Sequence, residues 1–239
     1  MKKTLWFTAA LLTLGIGVAS AQINLNWQDC VLSGVVGSNR IFACASNSGN
    51  NALISTFIAP AGVTALLGGD VVMDMQTAGA TLPDWWNFGG CRAATALLFS
   101  TDFSGVPVGG CDDVFGPALG GGFNFPAFGG ANRQRFKHGF ALAQGFPAIV
   151  AGHEVYFSRI VILNAGTVGG CAGCLTGACI VLNQMNVVQD PVTHPGGDFS
   201  YTLPATRQHV TWQSGGGVDC PGVTPARKTS WGTIKTLYR

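Results

Sequence analysis

The sequence predicts an all-β protein built as a two-sheet β-sandwich of jelly-roll or immunoglobulin-like topology. Its 35 glycines include repeated Gly-Gly pairs, which suit tight turns and weaken helices. Between these pairs lie short runs rich in β-branched and aromatic residues, the composition of strands. We expect strands at residues 23–27, 52–58, 70–75, 94–103, 136–143, 154–164, 178–189 and 209–213.

The connections between these strands carry two further expectations. Residues 154–164 and 178–189 are joined by a short Gly- and Cys-rich segment, and we predict that they form a hairpin. Residues 104–135 are rich in Gly, Pro and Phe, and their aromatic content favours a long but ordered loop.

Residues 1–21 are predicted to form a cleavable secretory signal peptide. Lys2 and Lys3 precede an uncharged, mostly apolar run at residues 5–18, and Ala19-Ser20-Ala21 offers the small side chains that a signal peptidase admits. The run is shorter than the roughly 20 residues needed to span a bilayer. We therefore expect residues 22–239 to form one secreted, extracytoplasmic β-sandwich domain without a membrane span.

The number and balance of charged residues narrow the range of functions that this protein could have. Charged residues make up 10% of the sequence, compared with about 25% in an ordinary globular domain. Without the two leader lysines, the chain has 11 basic and 11 acidic side chains. This balance argues against nucleic-acid binding, which needs a basic face. Since Glu154 is the only glutamate, catalysis by a pair of glutamates is excluded.

Eight cysteines in an exported chain predict four disulfides. The first four cysteines bracket short segments and suggest local bridges, whereas the last four allow three pairings. We expect Cys30–Cys44, Cys91–Cys111, Cys171–Cys179 and Cys174–Cys220.

The Cys171-Ala172-Gly173-Cys174 segment also allows two other chemistries. With Cys179, and with Cys220, His194 or His209 as a fourth ligand, it could bind zinc. Cys171 and Cys174 could alternatively form a thioredoxin-like redox pair. An oxidising compartment and a Gly-rich turn favour structural disulfides over both.

No catalytic residues are assigned. The chain has no Gly-x-Ser-x-Gly elbow, and His153-Glu154 lacks the second histidine of the zinc-protease motif. A secreted hydrolase remains an alternative because a catalytic triad can assemble from residues that are distant in sequence.

Three groups of residues are candidates for binding. Trp85 and Trp86 could stack on sugar rings; adjacent residues of an extended segment point to opposite faces, so we expect one ring inward and one outward. A structural calcium ion is the cofactor that loop aspartates could hold. A basic cluster at residues 132–137 is either an anion site or a solvated strand end. The calcium candidates are Asp102, Asp112 and Asp113.

Several local motifs resemble those of a group of secreted, cysteine-containing bacterial proteins with no assigned function. They are Trp27 with Cys30, Phe42 with Cys44, the segments at residues 82–86, 171–174 and 180–183, and the C-terminal residues 231–239. The resemblance covers the whole mature chain and implies no activity. A looser likeness to cohesin-type and carbohydrate-binding sandwiches implies the fold class alone.

These observations favour a secreted, non-enzymatic extracellular or cell-surface module that acts in adhesion, scaffolding or ligand capture. Its expected partner is an extracellular protein or a glycan. The first alternative is a carbohydrate-binding module that uses Trp85 or Trp86.

Overall fold

The computed structural model describes residues 23–30, 38–63, 65–92, 96–106, 110–116, 120–126, 128–142, 149–192, 197–202, 208–216 and 220. The predicted signal peptide lies outside these residues. The described part contains eleven strands, a 3₁₀ helix at Asp84–Trp86 and no α-helix. The strands are β1 (Ile23–Trp27), β2 (Asn39–Arg40), β3 (Asn50–Ile58), β4 (Leu66–Thr77), β5 (Leu97–Ser100), β6 (Gly120–Asn124), β7 (Arg133–Ala141), β8 (Glu154–Leu163), β9 (Ala178–Gln189), β10 (Phe199–Tyr201) and β11 (Gln208–Trp212).

The strands form two sheets that pack face to face. The smaller sheet has four strands in the order β1-β3-β8-β5. The larger has seven, in the order β2-β11-β9-β4-β7-β6, with β10 also paired to β9. Their strand pairs are antiparallel except β2 with β11. The predicted two-sheet β-sandwich is confirmed.

The core lies between the sheets and is rich in aromatic residues. Phe157 of the smaller sheet meets Phe140 of the larger, with ring centroids 5.1 Å apart. At the other end, the Trp27 indole nitrogen donates to the Thr211 carbonyl, 3.1 Å away, and so links β1 to β11. Burial of this apolar surface supplies the main driving force for folding.

Two β-bulges adjust which side chains face the core. In β9, the register against β4 shifts at Asn183, so that Leu182 and Met185 both point inward although they are three residues apart. In β8, the register against β3 shifts at Phe157, so that Phe157 and its neighbour Ser158 are both buried. A bulge adds one residue to one strand and thereby resets the alternation of faces.

The predicted hairpin of residues 154–164 and 178–189 is wrong. Strand β8 belongs to the four-stranded sheet and β9 to the seven-stranded sheet, so the chain crosses from one sheet to the other between them. The predicted loop at 104–135 also needs correction, because it contains β6 and the start of β7. The hairpin error arises because local periodicity identifies a strand but not its partner, whereas the three glycines of β6 leave too few side chains to show a periodicity.

All eight cysteines form disulfides, but the four predicted pairings are wrong. Partners lie 41 to 130 residues apart in sequence, because the sandwich brings loops of distant origin to within the Cα separation of about 4.4–6.8 Å that a disulfide requires. The pairs are Cys30–Cys111, Cys44–Cys174, Cys91–Cys171 and Cys179–Cys220.

The two outer faces of the sandwich differ. A second, smaller apolar cluster covers the outside of the four-stranded sheet and includes Tyr156, Phe103 and the Cys30–Cys111 disulfide. On the outside of the seven-stranded sheet, β4 and β7 present polar and charged side chains instead. This second face holds the candidate site.

Candidate ligand-binding groove

Trp85 and Trp86 do not form a surface platform. Both lie in the 3₁₀ helix and both are fully buried. Their rings meet Trp212 at centroid distances of 4.8 and 5.5 Å. The expectation of one outward ring is wrong because a 3₁₀ turn, unlike a strand, does not alternate its faces, and this one packs into the core.

The three candidate calcium ligands each have separate partners. The Asp102 carboxylate accepts a hydrogen bond from the Ser104 amide at 2.9 Å. The Asp112 carboxylate lies 3.0 Å from His153 Nδ1. The pKa of the Asp113 carboxyl is raised, mainly by burial, and backbone hydrogen bonds to this carboxylate oppose the shift. Within the described residues these carboxylates do not converge on one point, so calcium binding remains a prediction.

The zinc and redox interpretations of the Cys-x-x-Cys segment are wrong. Cys171 is bonded to Cys91 and Cys174 to Cys44, so neither thiolate is available to a metal. One other group in the described part brings three potential metal ligands together: Glu154 with Cys30 and Cys111. Its two cysteines are joined to each other, so it offers a metal only one carboxylate.

A continuous groove made of three adjoining hollows begins on the outer face of the seven-stranded sheet and passes over the edge strand β6 to the gap beside β5 of the other sheet. The central hollow has a volume of about 400 Å³ and lies over β4, β7 and β9. A second hollow of about 400 Å³, called the Arg135 hollow, adjoins it and shares Val72, Lys137 and Gln184 with it. On its other side, the central hollow shares Phe123 and His138 with a third of about 330 Å³, the His138 hollow. Ligand pockets typically measure about 300–1,000 Å³, so each hollow suits one unit of a longer ligand.

Hydrogen bonds between neighbouring strands fix the floor of this groove. Arg135 on β7 holds Asp74 on β4 through two bonds, from Nε at 2.6 Å and from Nη2 at 2.8 Å. Asn183 on β9 donates to the same carboxylate. Further along, Asn186 Nδ2 donates to both carboxylate oxygens of Asp70, at 3.0 and 2.9 Å. These polar groups are therefore held in place before any ligand binds.

Arg135 also connects the floor to an aromatic ring. Its guanidinium carbon lies 3.8 Å from the centroid of the Phe128 ring, which lines the Arg135 hollow. The hydrogen bonds that Arg135 donates to Asp74 raise the pKa of Arg135 above its usual value. The guanidinium therefore stays charged and oriented at physiological pH.

Three polar side chains at the central hollow are not used by the fold. Lys137, Gln184 and Asn124 line this hollow, and none of them has a hydrogen-bond partner among the described residues. They approach it from β7, β9 and β6 respectively. Unpartnered donors and acceptors above a fixed polar floor are available to a ligand.

Phe123 forms the ridge between the central and His138 hollows. Its side chain is 41% exposed and stacks on Phe99, with ring centroids 4.4 Å apart. Phe99 belongs to β5, the edge of the other sheet, so this stack spans the gap between the two edge strands. Phe123 therefore offers a supported aromatic surface to the groove.

His138 lines both of these hollows although it is only 4% exposed. Its Nδ1 lies 3.0 Å from the Ser158 hydroxyl of the opposite sheet. Burial lowers the pKa of the imidazole to about 4, so the ring is neutral at physiological pH. Because Ser158 is 0% exposed and does not line the hollow, this pair lacks the accessible nucleophile that a hydrolase needs.

Sequence reasoning found part of this site. The basic cluster at 132–137 includes Arg133, Arg135 and Lys137, which β7 places on the outer face. The residues from β4 and β9, such as Asp74 and Gln184, had no local signal, because their role depends on pairing with β7 and with each other.

Neither a protein-family model nor a curated protein sequence matches the chain. Among solved structures, it is similar to the cohesin module from the Clostridium perfringens ATCC13124 family 33 glycoside hydrolase. The two share 7% sequence identity at a TM-score of 0.35, over 81% of this chain and 98% of that module. The likeness is loose and carries no functional information. Within the described residues, no helix is long and apolar enough to cross a membrane.

Proposed function

We propose that this chain is a non-enzymatic extracellular or cell-surface module that captures a glycan through the groove on its seven-stranded sheet. The observation that carries the proposal is the convergence of Lys137, Gln184 and Asn124 over a hydrogen-bonded floor, with no hydrogen-bond partner for these three side chains in the described part of the chain. The predicted signal peptide and the four disulfides support an oxidising, extracytoplasmic location.

The chemistry of the lining favours sugars. Amides, carboxylates and a lysine provide donors and acceptors side by side, which suits ligands with adjacent hydroxyl groups. The exposed face of Phe123 adds an aromatic surface against which the apolar face of a sugar ring can pack. The three hollows adjoin one another from the outer face of the sheet to the gap beside β5, so the expected ligand is an oligosaccharide rather than a single sugar.

The test is a glycan-array screen with the oxidised protein, followed by calorimetry on the best ligand. We expect Lys137→Ala with Gln184→Ala to weaken binding about tenfold or more, since each lost hydrogen bond contributes about 0.5–1.5 kcal/mol. Phe123→Ala should also weaken it, through loss of the ring surface.

Leu175→Ala is the matched control, because this side chain is 77% exposed and lies outside the groove. It should bind as the unmodified protein does. Failure to bind any glycan, or binding that none of the groove variants alters, would rule out the proposed function and favour a protein partner.

A further inference from the structure

The tautomer of His138 is determined by its surroundings. The Ser158 hydroxyl is fully buried, and among the described residues its side chain bonds only to His138 Nδ1. A buried hydroxyl proton needs an acceptor, and the unprotonated Nδ1 is the one within reach. The reverse arrangement would leave that proton unpaired in the core. The ring proton is therefore on Nε2.

Nε2–H is consequently a fixed, neutral donor that the fold does not use. It has no hydrogen-bond partner among the described residues, and the imidazole lines the His138 hollow. Three aromatic side chains, Phe99, Phe123 and Phe140, line this hollow together with the polar segment at residues 100–102 and the glycines of β6. A fixed donor beside aromatic rings suits a carbonyl oxygen next to a small apolar group.

The charge at this hollow limits the ligand further. Asp102 also lines it, and hydrogen bonds from Ser104 lower the pKa of this carboxyl, so it is ionised at neutral pH. A negative charge there disfavours a carboxylate ligand. An ammonium group is attracted by Asp102, but it has only donors, so it cannot accept from Nε2–H and leaves the His138 donor unsatisfied.

We propose that the His138 hollow binds the acetamido group of an N-acetylated amino sugar. The acetyl oxygen accepts the Nε2–H hydrogen bond, and the methyl group packs against the aromatic side chains that line the hollow. This inference rests on the proposed function, because the sugar belongs to the glycan held along the groove.

The first test compares three oligosaccharides of equal length and linkage, made of N-acetylglucosamine, glucosamine or glucose. We expect the acetylated oligomer to bind about tenfold more tightly than the other two. Equal binding of all three, or a preference for glucosamine, would overturn this inference but leave the proposed function standing. Binding of none of them, with no hit on the glycan array, would refute both.

Variants at the hollow give an independent test. His138→Phe keeps a ring but removes the donor, so the ratio of affinities for the acetylated and glucose oligomers should fall to about one. The double variant with Ser158→Ala also removes the hydroxyl that His138→Phe would leave unpaired. It replaces the single variant in the same binding comparison if the single variant does not fold. A retained acetyl preference in a folded variant contradicts the inference.

The tautomer can be measured without any ligand. Long-range ¹⁵N–¹H NMR spectra of the oxidised protein at pH 7.5 should show His138 with its proton on Nε2. A proton on Nδ1 would overturn the inference whatever the binding data show.

Discussion

At the scale of single residues, buried polar side chains stack on or form hydrogen bonds with specific neighbours. Arg92 is 2% exposed and lies under Trp85, with its guanidinium carbon 4.1 Å from the ring centroid. It donates to the carbonyls of Trp85 and Leu163 and so connects the 3₁₀ turn to the end of β8. Burial lowers its pKa to about 10, which still leaves it charged at neutral pH. The planar guanidinium can stack on an aromatic ring and donate hydrogen bonds at the same time, which a lysine ammonium cannot do.

His138 makes stability depend on pH. Its pKa is about 4 in the folded protein, against 6.5 for an unperturbed histidine, because burial disfavours the charged ring. The unfolded chain therefore binds the proton more readily as pH falls from about 6.5 to about 4. The free energy of unfolding should decrease by about 3 kcal/mol across that window and be fully restored above it.

Urea unfolding at pH 7.5, 5.5 and 4.0 measures this effect. His138→Phe should remove the part of the pH dependence that His138 causes and leave the part due to the aspartates. No carboxylate bonds to His138 in the described part of the chain; Ser158 and the rings of Phe99 and Phe140 contact it. An identical pH dependence in both proteins would show that His138 is not the titrating group.

At the scale of elements, close packing of the sheets restricts β4 at Gly69. A Cβ added there would lie 2.2 Å from Phe157 Cζ and 2.4 Å from the Asn186 carbonyl oxygen. The backbone of β4 thus approaches both the facing sheet and its neighbour β9. Glycine within a strand often marks such an approach.

We expect Gly69→Ala to lower the free energy of unfolding by about 2 kcal/mol or more, because the core must expand to admit the methyl group. Gly122→Ala on the edge strand β6 is the matched control, since nothing lies within 4 Å of its added Cβ. That change should stay within about 0.5 kcal/mol. Thermal or urea unfolding measures both, and equal effects would contradict the close packing at Gly69.

At the scale of the whole molecule, disulfides tie together loops that the sheets bring close. Cys171 and Cys174 both lie in the connection from β8 to β9, and they anchor it to two other loops through Cys91 and Cys44. Trp212 joins this end of the sandwich through a 2.7 Å hydrogen bond from its indole nitrogen to the Cys174 carbonyl. The crossing between sheets is thus fixed at several points.

Cys44→Ser with Cys174→Ser should lower the free energy of unfolding by about 2–4 kcal/mol. Removing the Cys179–Cys220 bridge should cost about 1 kcal/mol less in the chain-entropy model, because it spans 41 residues rather than 130. Peptide mapping of the unreduced protein checks the pairing directly. A peptide that links Cys171 to Cys179 would contradict the connectivity.

Features that depend on local pattern could be predicted from the amino-acid sequence alone. The expected strands at 23–27 and 178–189 coincide with β1 and β9, because alternating apolar residues need only their own chain to be recognised. The even number of cysteines, together with the predicted signal peptide, predicted full oxidation. The three-glycine strand β6 was missed, since it has almost no side chains to form a pattern.

Which elements meet depends on the tertiary structure. The fold placed β8 and β9 in different sheets, paired cysteines across the sandwich, and buried Trp85 and Trp86 together. It also assembled the groove from β4, β5, β6, β7 and β9. Contacts of this kind depend on sheet pairing and register between distant segments, and the free energy that selects them comes from burial shared by the whole core.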